Sequence, residues 1–485
     1  MALSSLPKVL ASGRNSGARV VSRNALELFG DGLDATTSRR IASICRSRKA
    51  WQRRLPLPSS VRTVTALCAA SRLVAGNDVE LPGRCASGAK RPFADIAEHT
   101  SKLPTLHVGI IGFGLVGKEL AKQITSTAGS VSADIGVSIE IAAVARSKTM
   151  VLLTGGESGR ALTAGDMPTG EEPLNLESLG KHLLAAASDS GGRALVVDNT
   201  ASDSPVEFYE GWLAAGIDVV TPNKRAGSGP YARYEKIKTA AREGGSRFMY
   251  EATVGAGLPI IGPLQTLRRA GDEVAFVEGI FSGTLSYIFN TWTAGVKFSD
   301  VVAEAKAKGF TEPDPRDDLG GTDVQRKVVI LARELGLKLE LEDVPVQSLV
   351  PAKLRDWSPP SGQSLGDAFV QELTAYDGEM SSLMQEAEAA NEVLRFVGII
   401  DASSGTASVK LARYPKDHPF ASTQFADNIV TFSTKWYSPR PLVVQGPGAG
   451  AAVTAAGIYG NVIEAMMSLK SSSLGDEALA SVTAV

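Results

Sequence analysis

Hydrophobic residues along the chain fall into short runs separated by glycines and helical stretches. Residues 106–111 read as a buried strand, glycines follow, and a helical pattern begins near Gly117. Further apolar runs at 139–144, 194–197 and 217–220 alternate with helical stretches, notably 176–188 and 206–215. Parallel neighbours need crossover connections, so this alternation predicts a mainly parallel, doubly wound α/β sheet. From Glu251 onward the pattern changes to glycine-rich turns, helices predicted over 299–308 and 322–335, and later strand-like runs, which together read as a second, α+β domain. Near the C-terminus, 442–444 reads as a strand, 446–450 as a turn and 452–469 as a helix returning to the first domain, with Met466 and Met467 filling core. The expected segments are a leader over 1–102, a nucleotide domain over 103–250, a catalytic and dimerisation domain over 251–440, and a C-terminal segment over 441–485. No uninterrupted apolar stretch approaches the ~20 residues of a membrane-spanning helix.

The net charge of -2 gives no whole-chain electrostatic case for a nucleic-acid or anionic-membrane partner. It conceals an asymmetry, because residues 1–104 hold 17 Lys and Arg against 7 Asp and Glu while the remainder holds 33 against 45. In the first 72 residues, 13 basic side chains face only Glu27, Asp31 and Asp34, and Arg14, Arg19, Arg23, Arg39 and Arg40 interrupt every apolar stretch. That composition is transit-peptide-like and unlike a secretory signal; plastid import is the first expectation and mitochondrial import the second. A disordered cytosolic extension and a basic nucleic-acid arm are the competing readings. Cys45, Cys68 and Cys85 all lie in this leader, so a mature domain starting near Leu103 would have no thiol for disulfides, zinc-thiolate sites or nucleophilic catalysis. The histidines His99, His107, His182 and His418 lack ligand spacing and read as surface or cap residues.

Gly112, Phe113, Gly114, Leu115, Val116 and Gly117 form a GxGxxG between strand and helix, the setting in which this motif binds a dinucleotide. Gly112 permits a tight turn, Gly114 lets backbone approach a pyrophosphate, and Gly117 lets helix and strand pack closely, with the phosphates on the helix N-terminus. The second strand ends without the acid that would hold an NAD ribose. Arg146, Ser147 and Lys148 stand there instead and favour a 2'-phosphate, hence NADP, with NAD use left open and a solvated basic turn as the competing reading.

Three further segments carry candidate chemistry. Asp198, Asn199 and Thr200, and then Thr221 to Arg225, follow predicted strands and so belong at the ligand-binding edge of the sheet, with Lys224 directed at cofactor or substrate. In 251–259, glycines can turn carbonyl oxygens inward beside the Glu251 carboxylate, an arrangement that suits a hard cation and equally suits a plain tight loop. The stretch 309–327 holds five acids and ends with Asp323 and Lys327 four residues apart on one face of a helix. A buried lysine beside a carboxylate can exchange a proton with a carbonyl oxygen, as aldehyde reduction requires. An acidic surface loop with one salt bridge is the alternative.

The stretch 305–327, with Gly309, Asp314-Pro315, Asp318-Leu319, Gly321, Asp323 and the closing Lys327, resembles the signature of homoserine dehydrogenases. The likeness extends to the glycine motif, to 198–200, 222–224, 251–259, 281–288 and 446–457, essentially the whole chain after Leu103. The resemblance implies a Rossmann-type nucleotide domain and reversible NAD(P)-dependent interconversion of L-homoserine and L-aspartate 4-semialdehyde. It also implies that Lys327 is the proton donor with Asp323 as its partner, that Glu312 and Asp318 hold the substrate ammonium, and that Lys224 lies between cofactor and substrate. Thr200, Gly309 and Gly450 would border the nicotinamide nucleotide, and Glu251 with the carbonyls of Val254, Ala256 and Leu258 would bind sodium. The family's homodimers or larger homo-oligomers are expected here too.

About a hundred residues precede the dehydrogenase region and 15 follow Lys470, so the expectation is a monofunctional enzyme without its own amino-acid sensor. A phosphorylating aspartate-semialdehyde dehydrogenase would need a cysteine nucleophile after Cys85. A nucleotide-sensing module would bind cofactor and leave Asp323 and Lys327 idle.

Overall fold

The computed structural model describes residues 103–153 and 159–483. The leader with its transit-peptide reading, its three cysteines and His99 lies outside the described residues. All the described residues belong to one compact unit.

Strands β1 (Thr105–Ile111), β2 (Ser138–Ala145), β3 (Thr149–Leu152), β4 (Glu172–Pro173), β5 (Arg193–Asp198), β6 (Asp218–Val220) and β7 (Phe248–Met249) form one sheet in the order β4-β3-β2-β1-β5-β6-β7. The five strands from β2 to β7 in that order are parallel, as the alternating pattern predicts, while β3 and β4 extend the β2 edge antiparallel. All seven residues of β1 are buried, because helix α1 (Leu115–Ile135) covers one face of the sheet and α2 (Leu176–Ser190) the other. Burial on both faces also overturns the surface reading of His107, which sits in β1 within 2.8 Å of the Ser190 hydroxyl. His182 meets the carbonyls of Ala142 and Leu153, and His418 does act as a cap, accepting from the Phe420 amide.

The chain order reverses beside β1, so the carboxyl ends of β1, β5 and β6 open onto one crevice. After β6 come the one-turn helix α3 (Lys224–Ser228) and α4 (Tyr231–Glu243). The second sheet comprises β8 (Val274–Ile280), β9 (Glu392–Asp401), β10 (Thr406–Pro415), β11 (Asp427–Thr434) and β12 (Leu442–Pro447), antiparallel throughout in the order β10-β9-β8-β11-β12. Strand β12 therefore continues into what the sequence suggested was a turn.

Helices α5 (Ile261–Arg269), α6 (Gly283–Thr291), α7 (Phe298–Ala307) and α8 (Thr322–Glu334) join this sheet, with Phe281, Leu285, Val324, Val328, Phe396 and Phe432 in a shared core. Helix α8 is buried almost all round, since the sheet lies on one side and α3 on another. It nevertheless carries three buried charged residues, Lys327, Arg333 and Glu334.

The last helix, α9 (Ala451–Thr483), packs on α1 through Ala455, Ile458, Val462 and Met466, and Tyr459 meets Thr127 at 2.9 Å. Met467 is exposed, so only one methionine of the pair fills core. Among the described residues, the stretch Ala451–Ser471 is the one helix long and apolar enough to cross a membrane, although Asn461 and Glu464 interrupt its apolar run. Its buried stripe packs against the first sheet and α1.

Candidate active site

The glycine turn closes because the amides of Gly112 and Phe113 both donate to Ala145 O, at 2.9 and 3.1 Å, which ties the end of β1 to the end of β2. Gly112 has φ +85, and a Cβ on Gly117 would fall 2.4 Å from Gly112 O, so both positions require glycine. Gly114 differs, since its missing Cβ faces open space. It is also the N-cap of α1 and provides no side chain to the first amides of the helix, which starts at Leu115, ahead of the predicted start. Phe113 is buried in core and offers the site only its backbone, whereas Leu115 is 82% exposed and Val116 half-buried. Arg146, Ser147 and Lys148 are exposed at the tip of the β2–β3 hairpin.

Thr200 leans on the turn, its Cγ2 lying 3.0 Å from where a Gly112 Cβ would stand. Beside it the Asn199 amide is buried with neither its nitrogen nor its oxygen hydrogen-bonded among the described residues. Open space at Gly114, uncapped amides and an unpartnered amide next to the turn fit a bound dinucleotide.

Asp198 organises these loops. Its fully buried carboxylate accepts from the Thr200 amide (2.8 Å), the Tyr209 hydroxyl (2.6 Å) and Asn223 Nδ2 (3.0 Å), while its carbonyl accepts from the Thr221 hydroxyl at 2.7 Å. Burial pushes the carboxyl above its usual range, and these donors partly restore it. Asn223 in turn caps α3, accepting from the Arg225 amide at 3.1 Å, and so fixes where Lys224 begins.

The Asp323 carboxylate lies between two ammonium groups, 3.2 Å from Lys224 Nζ and 2.7 Å from Lys327 Nζ. Partial burial opposes its ionisation, but Lys327 and Lys224 outweigh that effect and hold the carboxyl well below the usual range. Lys327 is buried and also donates to Phe281 O at 2.6 Å, an oxygen that accepts from Asn428 Nδ2 at 3.1 Å as well. Burial pulls its ammonium below the ordinary lysine value; Asp323 resists the shift and Lys224 adds to it. An ammonium has three N–H donors. With two engaged, the third is left for a substrate oxygen.

Phe281 opens the segment that reaches the acids of 309–327. Thr284, three residues on, donates to Asp318 Oδ1 at 2.8 Å and lies 2.6 Å from Phe310 O, and Asp318 Oδ2 accepts from the Glu312 amide at 2.8 Å. The Glu312 side chain is exposed; burial raises the Asp318 carboxyl above its usual range, though the Glu312 amide and Thr284 lower it. Gly309, at φ +73, ends α7, and Gly450, at φ +118, enters α9. Sequence reasoning missed Tyr209, Thr284 and Asn428 as organisers of the site. The one signal for Asn428 is a polar residue inside a buried strand.

At the 251–259 loop, positive φ falls on Gly255 (+74) and on Ala256 (+56). The Glu251 carboxylate already accepts from three amides at the start of α5, Ile260 (2.6 Å), Ile261 (2.7 Å) and Gly262 (2.6 Å). One lone pair of Oε2 remains, and no hydrogen bond from a described residue reaches the carbonyl oxygens of Val254, Ala256 or Leu258. Among the described residues no three His, Cys, Asp or Glu side chains cluster as metal ligands, so a cation here would rest on one carboxylate and backbone oxygens.

Residues 259–463 match the family described as "Homoserine dehydrogenase" and residues 112–251 the one described as "Homoserine dehydrogenase, NAD binding domain". A chloroplastic bifunctional aspartokinase/homoserine dehydrogenase of Zea mays is 46% identical over 361 residues, covering 74% of this chain and 38% of that protein. The chain thus spans well under half of that relative. The homoserine dehydrogenase of Schizosaccharomyces pombe is 42% identical over 385 residues, covering 76% of this chain and 97% of its own length. The crystal structure of a Candida auris protein of unknown function superimposes with a TM-score of 0.67 at 38% identity, covering 74% of this chain and 98% of that one.

Proposed function

Since the chain belongs to the homoserine dehydrogenase family, we propose that it catalyses the reversible, NAD(P)H-dependent reduction of L-aspartate 4-semialdehyde to L-homoserine, toward threonine, isoleucine and methionine. The observation that carries this reading is Lys327, a buried lysine with two of its three donors engaged, paired through Asp323 with Lys224, which follows the carboxyl end of β6. A bound nicotinamide nucleotide would supply the hydride to the aldehyde carbon. Lys327 holds the aldehyde oxygen by its remaining N–H and delivers the proton that completes the alcohol, and solvent then reprotonates the amine. Asp323 keeps Lys327 oriented. Asp318 and Glu312 hold the substrate ammonium, which fixes the carbonyl relative to the crevice. The test follows NADPH absorbance with aspartate semialdehyde: turnover supports the reading, and cofactor binding without turnover leaves a nucleotide-sensing module.

Several finer points belong to the same reading. The exposed Arg146, Ser147 and Lys148, with no acid at the end of β2, favour NADP over NAD; equal kcat/KM for the two would remove that preference. Glu251 with the carbonyls of Val254, Ala256 and Leu258 would hold a hard cation by their oxygen donors, sodium by the resemblance to the family. Phe276 and Val443 lie on the same face of the second sheet and are exposed, as are Trp436 and Tyr437 beside it, which supports a homodimer or larger homo-oligomer through this face. Plastid delivery is supported by the basic, acid-poor first 72 residues and by the chloroplastic naming of the maize relative; mass determination of the mature N-terminus checks it.

A further inference from the structure

The ion pair between Lys224 and Asp323 joins two separate parts of the chain, and something must hold them in register. Helix α3, which carries Lys224, has five residues, too few to be stable by itself. Its first turn is fixed by Asn223, but its far end is fixed by α8. Gly227 packs so closely on that helix that a Cβ there would stand 2.9 Å from Ile330 Cγ1. The Gly227 carbonyl accepts at 2.9 Å from Arg333 Nη1.

Arg333 is an unusual residue to find there. Its side chain is fully buried and uses its planar fork in three directions. Nη1 goes to α3; Nε and Nη2 go to Leu339 O at 3.1 and 2.9 Å; and Nη2 also reaches the Glu340 carboxylate at 3.2 Å. Both Glu340 oxygens accept from the Tyr231 amide at 3.0 Å, which caps α4 immediately after α3. The guanidinium lies over the rings of Tyr231 and Tyr234, at 5.3 and 5.4 Å. One side chain therefore clamps both ends of the α3–α4 corner to the helix that carries Asp323 and Lys327. It is six residues beyond Lys327, ~9 Å along the axis, and its hydrogen bonds go to Gly227, Leu339 and Glu340 rather than to Lys224, Asp323 or Lys327.

We propose that Arg333 is the positioning residue that holds Lys224 against Asp323, so that the charge geometry around the proton donor depends on a clamp outside the site. The proposal rests on the dehydrogenase reading for its kinetic consequence alone. A side chain that merely stabilised the fold would act independently of Lys224; a positioning residue acts through it.

The experiment compares Arg333→Met with wild type, alone and combined with Lys224→Ala. Arg333→Met is expected to lower kcat by about 10-fold or more with the Kd for NADPH within about 2-fold, because a misplaced group ~1 Å away is enough for such a loss. In the Lys224→Ala background the same change should cost less than about 2-fold. Wild-type kcat in Arg333→Met, or an undiminished loss in the Lys224→Ala background, overturns the proposal. If Arg333→Met does not fold, Gly227→Ala, which forces α3 from Ile330, is read the same way. Acetylation by acetic anhydride followed by mass spectrometry gives a readout independent of turnover: Lys224 should label faster in the variant while exposed lysines such as Lys410 do not change. Were wild type inactive on aspartate semialdehyde, the reading of the reaction would fail, and the labelling would still decide whether Arg333 positions Lys224.

Discussion

The Tyr209 hydroxyl donates a 2.6 Å hydrogen bond to the fully buried carboxylate of Asp198. That carboxylate has no cationic partner in its hydrogen-bond set, so neutral donors alone offset its desolvation, and the other two, Thr200 and Asn223, come from the loops after β5 and β6. Removing a hydrogen bond to a buried charge costs about 1.5–3 kcal/mol. Tyr209→Phe should therefore lower unfolding stability by about that amount and raise KM for the nucleotide, since Thr200 and Asn223 share the same anchor. Denaturant unfolding and nucleotide kinetics check this; unchanged stability would remove Tyr209 as a required partner of Asp198.

Lys327 must carry its proton to act as the acid in aldehyde reduction, so turnover falls as pH rises through its pKa. Burial places that pKa below the ordinary lysine value, and the alkaline limb of kcat should fall correspondingly early. Asp323 opposes the shift and Lys224 deepens it, so the two neighbours have opposite signs: Asp323→Asn moves the limb to lower pH and Lys224→Ala moves it to higher pH. Lys327→Ala should reduce turnover ~100-fold or more with NADPH binding retained. A limb that stays put in both neighbour variants would assign the titration to another group.

The parts of this site that the sequence revealed are those encoded locally. The GxGxxG is legible because a central parallel strand, buried on both faces, runs apolar straight into it. Asp323 and Lys327 are legible because four residues is one helical turn. What binds the pair is not local. Phe281 O is 46 positions from Lys327 and 147 from Asn428, and a backbone carbonyl has no signature in a sequence. The ion pair from Lys224 to Asp323 likewise depends on how α3 packs against α8. The surface expectation for His107 fails because an imidazole flanked by Leu106 and Val108 in a wholly buried strand has to be buried too.

Asp318 is held by Thr284 and the Glu312 amide, so its carboxylate is aimed before substrate arrives. A charged hydrogen bond to the substrate ammonium is worth about 1.5–3 kcal/mol, roughly 10- to 100-fold in KM. Asp318→Asn keeps the shape and removes the charge, and it should raise KM for aspartate semialdehyde by that factor while leaving the nucleotide KM unchanged. Thr284→Val should do the same more weakly, by releasing the carboxylate. Steady-state kinetics with each substrate varied in turn checks both; a loss confined to the nucleotide would place the ammonium elsewhere.

Glu251 is doubly committed: its carboxylate satisfies three amides at the start of α5, and it is the one charged donor in the loop that would take a cation. Burial raises its carboxyl above the usual range, and the three amides pull it back, so the ionised form depends on keeping those bonds. Glu251→Ala leaves the amides without their acceptor, at about 1–3 kcal/mol for each that stays buried and unsatisfied, and should destabilise the protein in any salt. The cation makes a separable prediction. Wild type should melt at higher temperature in sodium chloride than in choline chloride of equal ionic strength, because a ligand bound only by the folded state raises its stability by mass action. Glu251→Gln, which keeps one acceptor oxygen but not the charge, should lose that difference. Equal melting temperatures for wild type in the two salts would leave Glu251 as a helix cap alone.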